Sequence, residues 1–237
     1  MTPTDSTPTG PEHTSAKVAQ TVWLVRHAET AAPTLFHGAE SDVELGAHGR
    51  RQTAAVVPWF AALRPSAVVS SAMRRAVETA APIAAACGVP HLREPDLHER
   101  RVGSLSRQPR EQADSVWEET LARWIAGDTG FAIAGMESFD AIRDRTLPAF
   151  RRVAEAHPGG RVVIVCHGVV CKVLLLSLLR GRTAADWVTI GRAQNLAVSE
   201  LVPDAGTWTA RQLLTVPPPV AEVNAAFAEA GVRKTEA

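Results

Sequence analysis

The chain has no excess of charge of either sign. Its 25 Lys+Arg residues balance 25 Asp+Glu residues, so the formal net charge is +0 at pH 7. A balanced chain offers no broad electrostatic field for nucleic acid or for an anionic membrane surface. We therefore expect neither as a partner, and any anion that the protein binds should be held by a local cluster of cations.

Cysteine is scarce, and its spacing does not suggest a metal site. The 3 cysteines are Cys87, Cys166 and Cys171, an odd number in apolar or helical surroundings. This usage predicts reduced core thiols in the cytoplasm rather than a disulfide framework. No pair of histidines has the spacing of a zinc site either, so we expect no metal and no other cofactor.

Long apolar runs and a secretory signal are also missing. Residues 1–20 are rich in Thr, Pro, Ser and Gly and contain neither a basic n-region nor an apolar core. This composition predicts a disordered N-terminal tail over residues 1–19. The longest apolar stretch, residues 169–179, contains Lys172 and is shorter than the roughly 20 residues needed to span a bilayer. We expect a soluble, cytoplasmic protein.

Two apolar, β-prone runs each end in a histidine. Residues 21–26 lead directly to His27, and residues 162–166 lead to His167. Two parallel strands of one sheet would bring the two imidazoles together, and ligands of open α/β sheets bind outside the carboxyl ends of the strands. Both histidines are therefore candidates for the substrate crevice.

Strand-like and helix-like segments alternate along the chain, which predicts an α/β fold: a three-layer α/β/α sandwich with a mostly parallel central sheet. We expect one domain over residues 20–216, with a helical lid at about 104–137 and a C-terminal tail of uncertain order at 217–237. The last two strands, before and after residues 203–206, should form an edge hairpin. Predicted helix signals are caps at Ser70–Ser71 and at Ser138 and a stop at Gly88.

Five short motifs stand in a recognisable order. They are residues 26–30 (RHAET), 71–80 (SAMRRAVETA), 97–99 (LHE), 135–138 (GMES) and 166–168 (CHG). Together they resemble the histidine phosphatase superfamily, also called the phosphoglycerate mutase-like family, over about residues 22–213. Five separated motifs in the same order are far more specific than any one of them.

The resemblance implies a phosphohistidine mechanism. It implies that His27 is the nucleophile that takes the phosphoryl group and that Arg26 holds phosphate oxygens beside it. Arg75 matches the family's second arginine, whereas Arg74 occupies a variable position. The chemistry agrees, because guanidinium forks match phosphate oxygens and a neutral imidazole has a lone pair for attack at phosphorus.

The remaining site residues lie further along the chain. The resemblance places Glu99 as the proton donor and His167 as the second active-site histidine, which binds phosphate together with Gly168 at a helix N-terminus. Arginines near Glu99 leave open an alternative, an ordinary salt-bridged carboxylate. His167 also has an alternative, a hydrogen-bonded core histidine.

Other polar and aromatic residues receive structural interpretations. Five histidines are predicted at the surface: His37, His48, His91, His98 and His157. An aromatic set is predicted as a helical core face rather than a substrate platform: Trp117, Trp124 and Phe131. Four arginines after Glu99 form either a solvated face or a second grip for anions: Arg100, Arg101, Arg107 and Arg110.

The sequence also departs from the family pattern. Ala28 replaces the usual glycine, which fits if its φ is negative. Pro33 stands where the mutases have an asparagine, and residues 103–106 keep little of the family's loop after the proton donor.

We expect a phosphomonoesterase acting on a small phosphorylated metabolite. The alternatives are a phosphoglycerate mutase-type phosphotransferase and a non-catalytic module that binds phosphorylated ligands. The oligomeric state stays open.

Overall fold

The computed structural model describes residues 17–133 and 135–235, with side chains up to residue 230. Of the tail that we expect over residues 1–19, residues 1–16 lie outside the described residues. The elements are β1 Thr21–Arg26, α1 Ala47–Leu63, β2 Ala67–Ser70, α2 Arg74–Cys87, β3 His91–Arg93, α3 Arg110–Ile125, α4 Phe139–Glu155, β4 Arg161–Cys166, α5 Gly168–Leu178, β5 Val198–Asp204, β6 Thr207–Thr215 and α6 Pro218–Thr235. Short 3-10 turns lie at Pro95–Leu97, Gly103–Leu105 and Ala184–Trp187.

The strands form one six-stranded sheet in the order β3-β2-β4-β1-β5-β6. Strands β1, β2, β3 and β4 run parallel, whereas β5 and β6 are antiparallel. The mostly parallel sheet and the edge hairpin are both confirmed. The edge strand β3 was not predicted, since three residues are too few to show a periodic pattern.

Helices cover both faces of the sheet because successive strand residues point to opposite sides. Leu24 and Ile164 pack on one side with residues of α3, α4 and α5. Val25 and Val165 pack on the other side with α1, α2 and α6. These four side chains are at most 1% exposed. The three-layer sandwich is thus confirmed, and strands buried on both faces explain the continuous apolar runs.

The structure confirms only some of the helix caps and stops that the sequence predicts. The Ser138 hydroxyl accepts a hydrogen bond from the Ala141 amide at 3.1 Å and caps α4, as expected. Gly88 ends α2 with a φ of +65°. The predicted Ser70–Ser71 cap is wrong, because the chain turns once more before α2 begins. The Ser71 hydroxyl there accepts from the Met73 amide at 3.2 Å, and no side chain caps α2.

The C-terminal segment is a helix where the sequence suggested a tail of uncertain order. Helix α6 packs along α1, and Val220 is fully buried. The prolines at residues 217–219 do not oppose this helix, because proline fits a first helical turn whose amides need no partner. Within the described ranges, no helix has the length and hydropathy of a membrane span.

His48 anchors α6 and is not the surface residue that the sequence suggested. Its ring stacks on Phe227 with 4.0 Å between ring centroids. Asn224 Oδ1 accepts hydrogen bonds from His48 Nε2 at 3.0 Å and from Gln52 Nε2 at 2.8 Å. The α6 contacts bury His48 to 6% exposure.

Candidate active site

The two strand-end histidines lie side by side. Strand β1 pairs with β4 so that Arg26 is opposite Cys166, one residue before each histidine. The ring centroids of His27 and His167 are 5.2 Å apart, with 60° between the ring planes. The register of two parallel strands therefore produces the pair that the sequence pattern suggested.

The His27 ring is held by a hydrogen bond that leaves its Nε2 free. Its Nδ1 lies 2.6 Å from the Ala28 carbonyl oxygen. A carbonyl can only accept, so Nδ1 carries the proton and Nε2 keeps its lone pair. Burial holds the pKa of His27 well below its usual value, and the nearby Arg75 and Arg26 lower it further. The imidazole is therefore neutral at pH 7.

Hydrogen bonds from distant elements fix the backbone around His27. The His27 carbonyl accepts from the Asn195 side-chain amide at 2.9 Å. The Ala28 amide donates to Thr79 Oγ1 at 3.1 Å, and the next amide, that of Glu29, donates to Gln52 Oε1 at 2.9 Å. Ala28 has a negative φ, so its methyl group introduces no backbone strain.

His167 is fully buried, but it is not a hydrogen-bonded core histidine. Neither ring nitrogen has a hydrogen-bond partner within the described residues. Burial holds its pKa well below the ordinary value, with Arg75 and His27 lowering it further. A buried polar ring without a partner is costly, and this cost is consistent with a ring that binds a ligand.

Two arginines present their charge to the same place. Arg75 is 1% exposed and donates to the carbonyl oxygens of Ser41 at 2.8 Å and Gly38 at 3.3 Å. Arg26 Nη1 donates to the Ala193 carbonyl at 2.7 Å, while its buried Nε has no partner. Burial lowers the pKa of both groups, and Glu99 opposes that shift. Because their direct partners are neutral carbonyls, both positive charges remain available to an anion.

Arg74 is placed differently from Arg75, as its variable position in the motif suggests. Its side chain is 53% exposed and pairs with Glu44 and Glu78. Of the two neighbouring arginines, only Arg75 lines the cleft described below.

Gly168 leaves room for the Arg26 side chain. A Cβ built on Gly168 would lie 3.3 Å from Arg26 Nε, closer than most such contacts. Gly168 begins α5, whose first amides point out of the helix and favour an anion. The helix terminus and the guanidinium of Arg26 are therefore adjacent.

Glu99 is buried next to the arginines without an ion pair of its own. It is 8% exposed, and its Oε1 accepts from the Arg100 amide at 3.0 Å. Among the described residues, no guanidinium forms an ion pair with it at 4.0 Å or less; the neighbouring Arg101 pairs with Glu137 instead, at 3.7 Å. The salt-bridge alternative for Glu99 is therefore wrong, and its role as proton donor stays a prediction.

All of these groups except the fully buried His167 line a cleft of about 860 Å³ at the carboxyl ends of β1 and β4. Helix α3 borders it through three residues: Arg110, Asp114 and Trp117. The sequence did not identify four further lining residues: Lys172, Trp187, Arg192 and Asn195. Lys172 had a signal, a charge inside an otherwise apolar helix. The other three lie in a connection without periodicity.

The fold places members of the predicted basic stretch in different environments, and it does the same with members of the predicted aromatic set. Arg100 is 2% exposed, and its guanidinium carbon lies 3.7 Å from the Trp117 ring centroid, so the solvated-face alternative is wrong for Arg100. The side chain of Arg101 is 60% exposed. Trp124 is fully buried as a core residue, whereas Trp117 lines the cleft.

Three more of the histidines predicted at the surface form side-chain hydrogen bonds. His37 bonds to the Ala32 carbonyl at 2.8 Å and lines the cleft. His91 bonds to the Ser70 hydroxyl, and His98 bonds to the Glu99 carbonyl. These three rings are half-buried, so they lie at the surface as expected, each held there by a hydrogen bond. Within the described residues, no cluster of three or more His, Cys, Asp or Glu side chains could hold a metal ion.

The low pKa values of His27 and His167 predict how stability depends on pH. The folded state keeps both rings neutral, whereas the unfolded chain takes up protons as the pH falls below about 6.5. We therefore expect the Tm to decrease as the pH falls below about 6.5, whereas above about pH 7 these two rings contribute no pH dependence. Thermal melts across this range test the prediction. The decrease should be smaller in His167→Asn, and an equal decrease in this variant would contradict it.

Comparison with known proteins gives a consistent result. The Histidine phosphatase superfamily (branch 1) profile matches residues 22–215. A metal-independent phosphoserine phosphatase of Arabidopsis thaliana is 36% identical over 167 residues, covering 68% of this chain and 69% of that protein. A probable phosphoglycerate mutase GpmB of Salmonella paratyphi C is 30% identical over 194 residues, covering 80% and 87%.

Solved structures show the same fold. Bacillus stearothermophilus YhfR superposes with a TM-score of 0.74 at 22% identity, over 84% of this chain and 98% of that one. A mycobacterial glucosyl-3-phosphoglycerate phosphatase gives a TM-score of 0.72 at 24% identity, over 83% and 99%. With the family profile covering most of the sequence and the sheet built in the same way, this chain belongs to the histidine phosphatase superfamily.

Proposed function

We propose that this chain is a phosphomonoesterase that hydrolyses a small phosphorylated metabolite through a phosphohistidine intermediate at His27. The supporting observation is the state of the His27 ring: its Nε2 keeps a free lone pair, and the ring shares a cleft with Arg26 and Arg75, whose charges lower its pKa. The relatives named as phosphatases support the same reaction class. A module that only binds phosphorylated ligands would not need a neutral imidazole with a free lone pair.

In the first step, the phosphoryl oxygens bind to Arg26 and Arg75, with His167 and the first amides of α5 completing the site. Nε2 of His27 attacks phosphorus in line with the ester oxygen, so the new N–P bond forms as the P–O ester bond breaks. The protonated form of Glu99 gives its proton to the departing alkoxide. The Nδ1–H of the resulting phospho-imidazolium keeps donating its hydrogen bond to the Ala28 carbonyl.

In the second step, the Glu99 carboxylate takes a proton from water. The water oxygen attacks phosphorus, the N–P bond breaks, and the electron pair returns to Nε2 of His27. Two moderate displacements thus replace one very difficult hydrolysis. Inorganic phosphate leaves, and both His27 and Glu99 regain their starting protonation states.

A small metabolite suits the dimensions and charge of the cleft. Its volume of about 860 Å³ falls in the range of small-molecule sites. Its cations are local, in a chain of zero net charge, which favours neither nucleic acid nor a membrane as partner. Free Cys87, Cys166 and Cys171 support a cytoplasmic location.

Mutase activity is the main rival, because several relatives carry that name. Pro33 lines the cleft where the mutases have an asparagine, and proline has neither a side-chain amide nor a backbone donor. We expect the enzyme to release phosphate from members of a panel of phosphorylated metabolites. It should not convert 3-phosphoglycerate into 2-phosphoglycerate. Isomerisation stimulated by 2,3-bisphosphoglycerate would replace the phosphatase proposal with the mutase alternative.

Activity should survive exhaustive dialysis against EDTA, because Arg26 and Arg75 supply the positive charge that a divalent ion supplies in other phosphoryl-transfer enzymes. Vanadate, which mimics the transferring phosphoryl group, should inhibit. Phosphate release before and after chelation measures the effect. Activity lost with EDTA and restored by one particular divalent ion would contradict the prediction.

A further inference from the structure

Glu137 belongs to the fourth sequence motif, residues 135–138, to which the proposed mechanism assigns no role. Its side chain is buried and forms a two-pronged ion pair with Arg145 of α4. Arg145 Nη2 donates to Glu137 Oε2 at 2.9 Å, and Nε donates to Oε1 at 3.1 Å. Burial raises the pKa of Glu137, but the hydrogen bonds and the charge of Arg145 outweigh burial and hold the pKa below its usual value. The carboxyl group is therefore ionised at pH 7.

This ion pair holds the loop that carries Glu99 on both sides of that residue. Before Glu99, Arg145 Nη1 donates to the His98 carbonyl at 3.0 Å and to a second carbonyl two residues earlier at 2.6 Å. After Glu99, the Arg101 amide donates to Glu137 Oε2 at 2.8 Å, and the Arg101 carbonyl accepts from the Glu137 amide at 3.1 Å. The peptide groups on either side of the proposed proton donor are thus tied to α4.

The other polar contacts of this loop lie further along the chain. The Ala39 amide donates to the Arg100 carbonyl at 3.0 Å. Glu40 Oε1 accepts from the amides of residues 102 and 103, both at 2.9 Å. These contacts all follow Glu99, whereas Arg145 also binds the carbonyl that precedes it.

The chemistry of the ion pair favours a positioning role over a stabilising one. A largely buried ion pair adds little net stability compared with apolar residues of similar size, because burial removes water from both charges. A two-pronged arginine–carboxylate contact does fix distance and angle. A proton donor needs such precision, since a displacement of about 1 Å can slow a reaction about 100-fold.

We propose that Glu137 and Arg145 are positioning residues that hold the carboxyl group of Glu99 at the ester oxygen of the leaving group. This inference rests on the proposed function, in which Glu99 protonates that oxygen, and it gives the fourth motif a role. Neither residue lines the cleft, so both act through the loop rather than on the substrate. Their loss should impair proton transfer and leave phosphate binding unchanged.

Arg145→Met tests the inference with two esters. We expect kcat for an alkyl phosphate to fall about 10- to 100-fold with KM within about threefold of the wild type, and kcat for nitrophenyl phosphate to fall less than about threefold. The control Arg143→Met removes exposed ion pairs with Asp140 and Asp144 on the same helix and should keep both rates. Unchanged alkyl activity, or equal losses on both esters, in a folded Arg145→Met would overturn the inference.

A double variant keeps the test valid if Arg145→Met does not fold. The single change leaves a buried carboxylate without its partner, which is destabilising. Arg145→Met combined with Glu137→Gln removes both charges and keeps a side-chain oxygen for the Arg101 amide. We expect this variant to fold, as circular dichroism checks, and to show the same selective loss on the alkyl ester. An alkyl-to-aryl rate ratio equal to that of the wild type would overturn the inference.

Variants of Glu99 separate this inference from the proposed reaction. If Arg145 acts through Glu99, adding Arg145→Met to Glu99→Gln should lower the alkyl rate by less than about a further threefold, because the effects of coupled groups do not add. A further loss of about tenfold or more would overturn the inference. Equal losses on both esters in Glu99→Gln alone would instead overturn the proposed proton donor, and hydrolysis of neither ester by the wild type would overturn the phosphatase proposal.

Discussion

His27→Ala is expected to lower kcat/KM by at least about 10³- to 10⁴-fold, because in the proposed mechanism it removes the atom that forms the covalent intermediate. The remaining arginines still bind phosphate, so the loss should appear mainly in kcat. The methyl group leaves space in a buried pocket, but the backbone bonds of His27 to neighbouring elements remain. Steady-state kinetics on nitrophenyl phosphate measure the loss, and circular dichroism checks the fold.

A second histidine provides the control for His27. His157 follows the end of α4 and does not line the cleft, so His157→Ala should leave kcat and KM close to those of the wild type. Turnover by His27→Ala within about tenfold of the wild-type rate would contradict nucleophilic catalysis by His27, since removing such groups costs far more.

Glu99→Gln is expected to lower kcat/KM for alkyl phosphates far more than kcat/KM for nitrophenyl phosphate. An alkoxide leaves only with a proton, whereas nitrophenolate leaves unaided, so a missing acid affects the alkyl ester selectively. We expect a loss of about 10²- to 10⁴-fold on the alkyl ester and less than about tenfold on the aryl ester. Parallel measurements of kcat/KM on both esters give the ratio.

Glu29→Gln is the matched control, because Glu29 is a second carboxylate on the same cleft, two residues after His27. This variant should change kcat/KM for the alkyl ester and for the aryl ester by the same factor. A selective loss on alkyl esters in Glu29→Gln, with equal losses in Glu99→Gln, would move the role of proton donor from Glu99 to Glu29.

The sequence predicted those parts of the site that depend on local pattern and strand register. Apolar runs ending at His27 and His167 are strong signals, and parallel strands place their carboxyl ends at one edge of the sheet. Arg75 could be distinguished from Arg74 by its place in the motif. The structure agrees, since one lies in the cleft and the other in surface ion pairs.

The features that the sequence did not reveal depend on contacts between distant segments. The prolines at residues 217–219 kept the sequence from predicting the C-terminal helix. His48 is buried only because α6 covers it. For Arg100 the sequence left open a solvated face or a second grip for anions, and only the contact with Trp117 of α3 excludes the solvated face. Such pairs have no periodicity, so composition and spacing cannot reveal them.

Trapping the phosphoenzyme is the most direct test of the account. The protein is mixed with a substrate labelled in its phosphoryl group and quenched within one turnover in alkaline detergent, which preserves phosphohistidine. We expect label on the wild-type protein, stable in base, lost in acid and absent from His27→Ala. Steady phosphate release without any trapped label, or label that persists in His27→Ala, would contradict a covalent intermediate at His27.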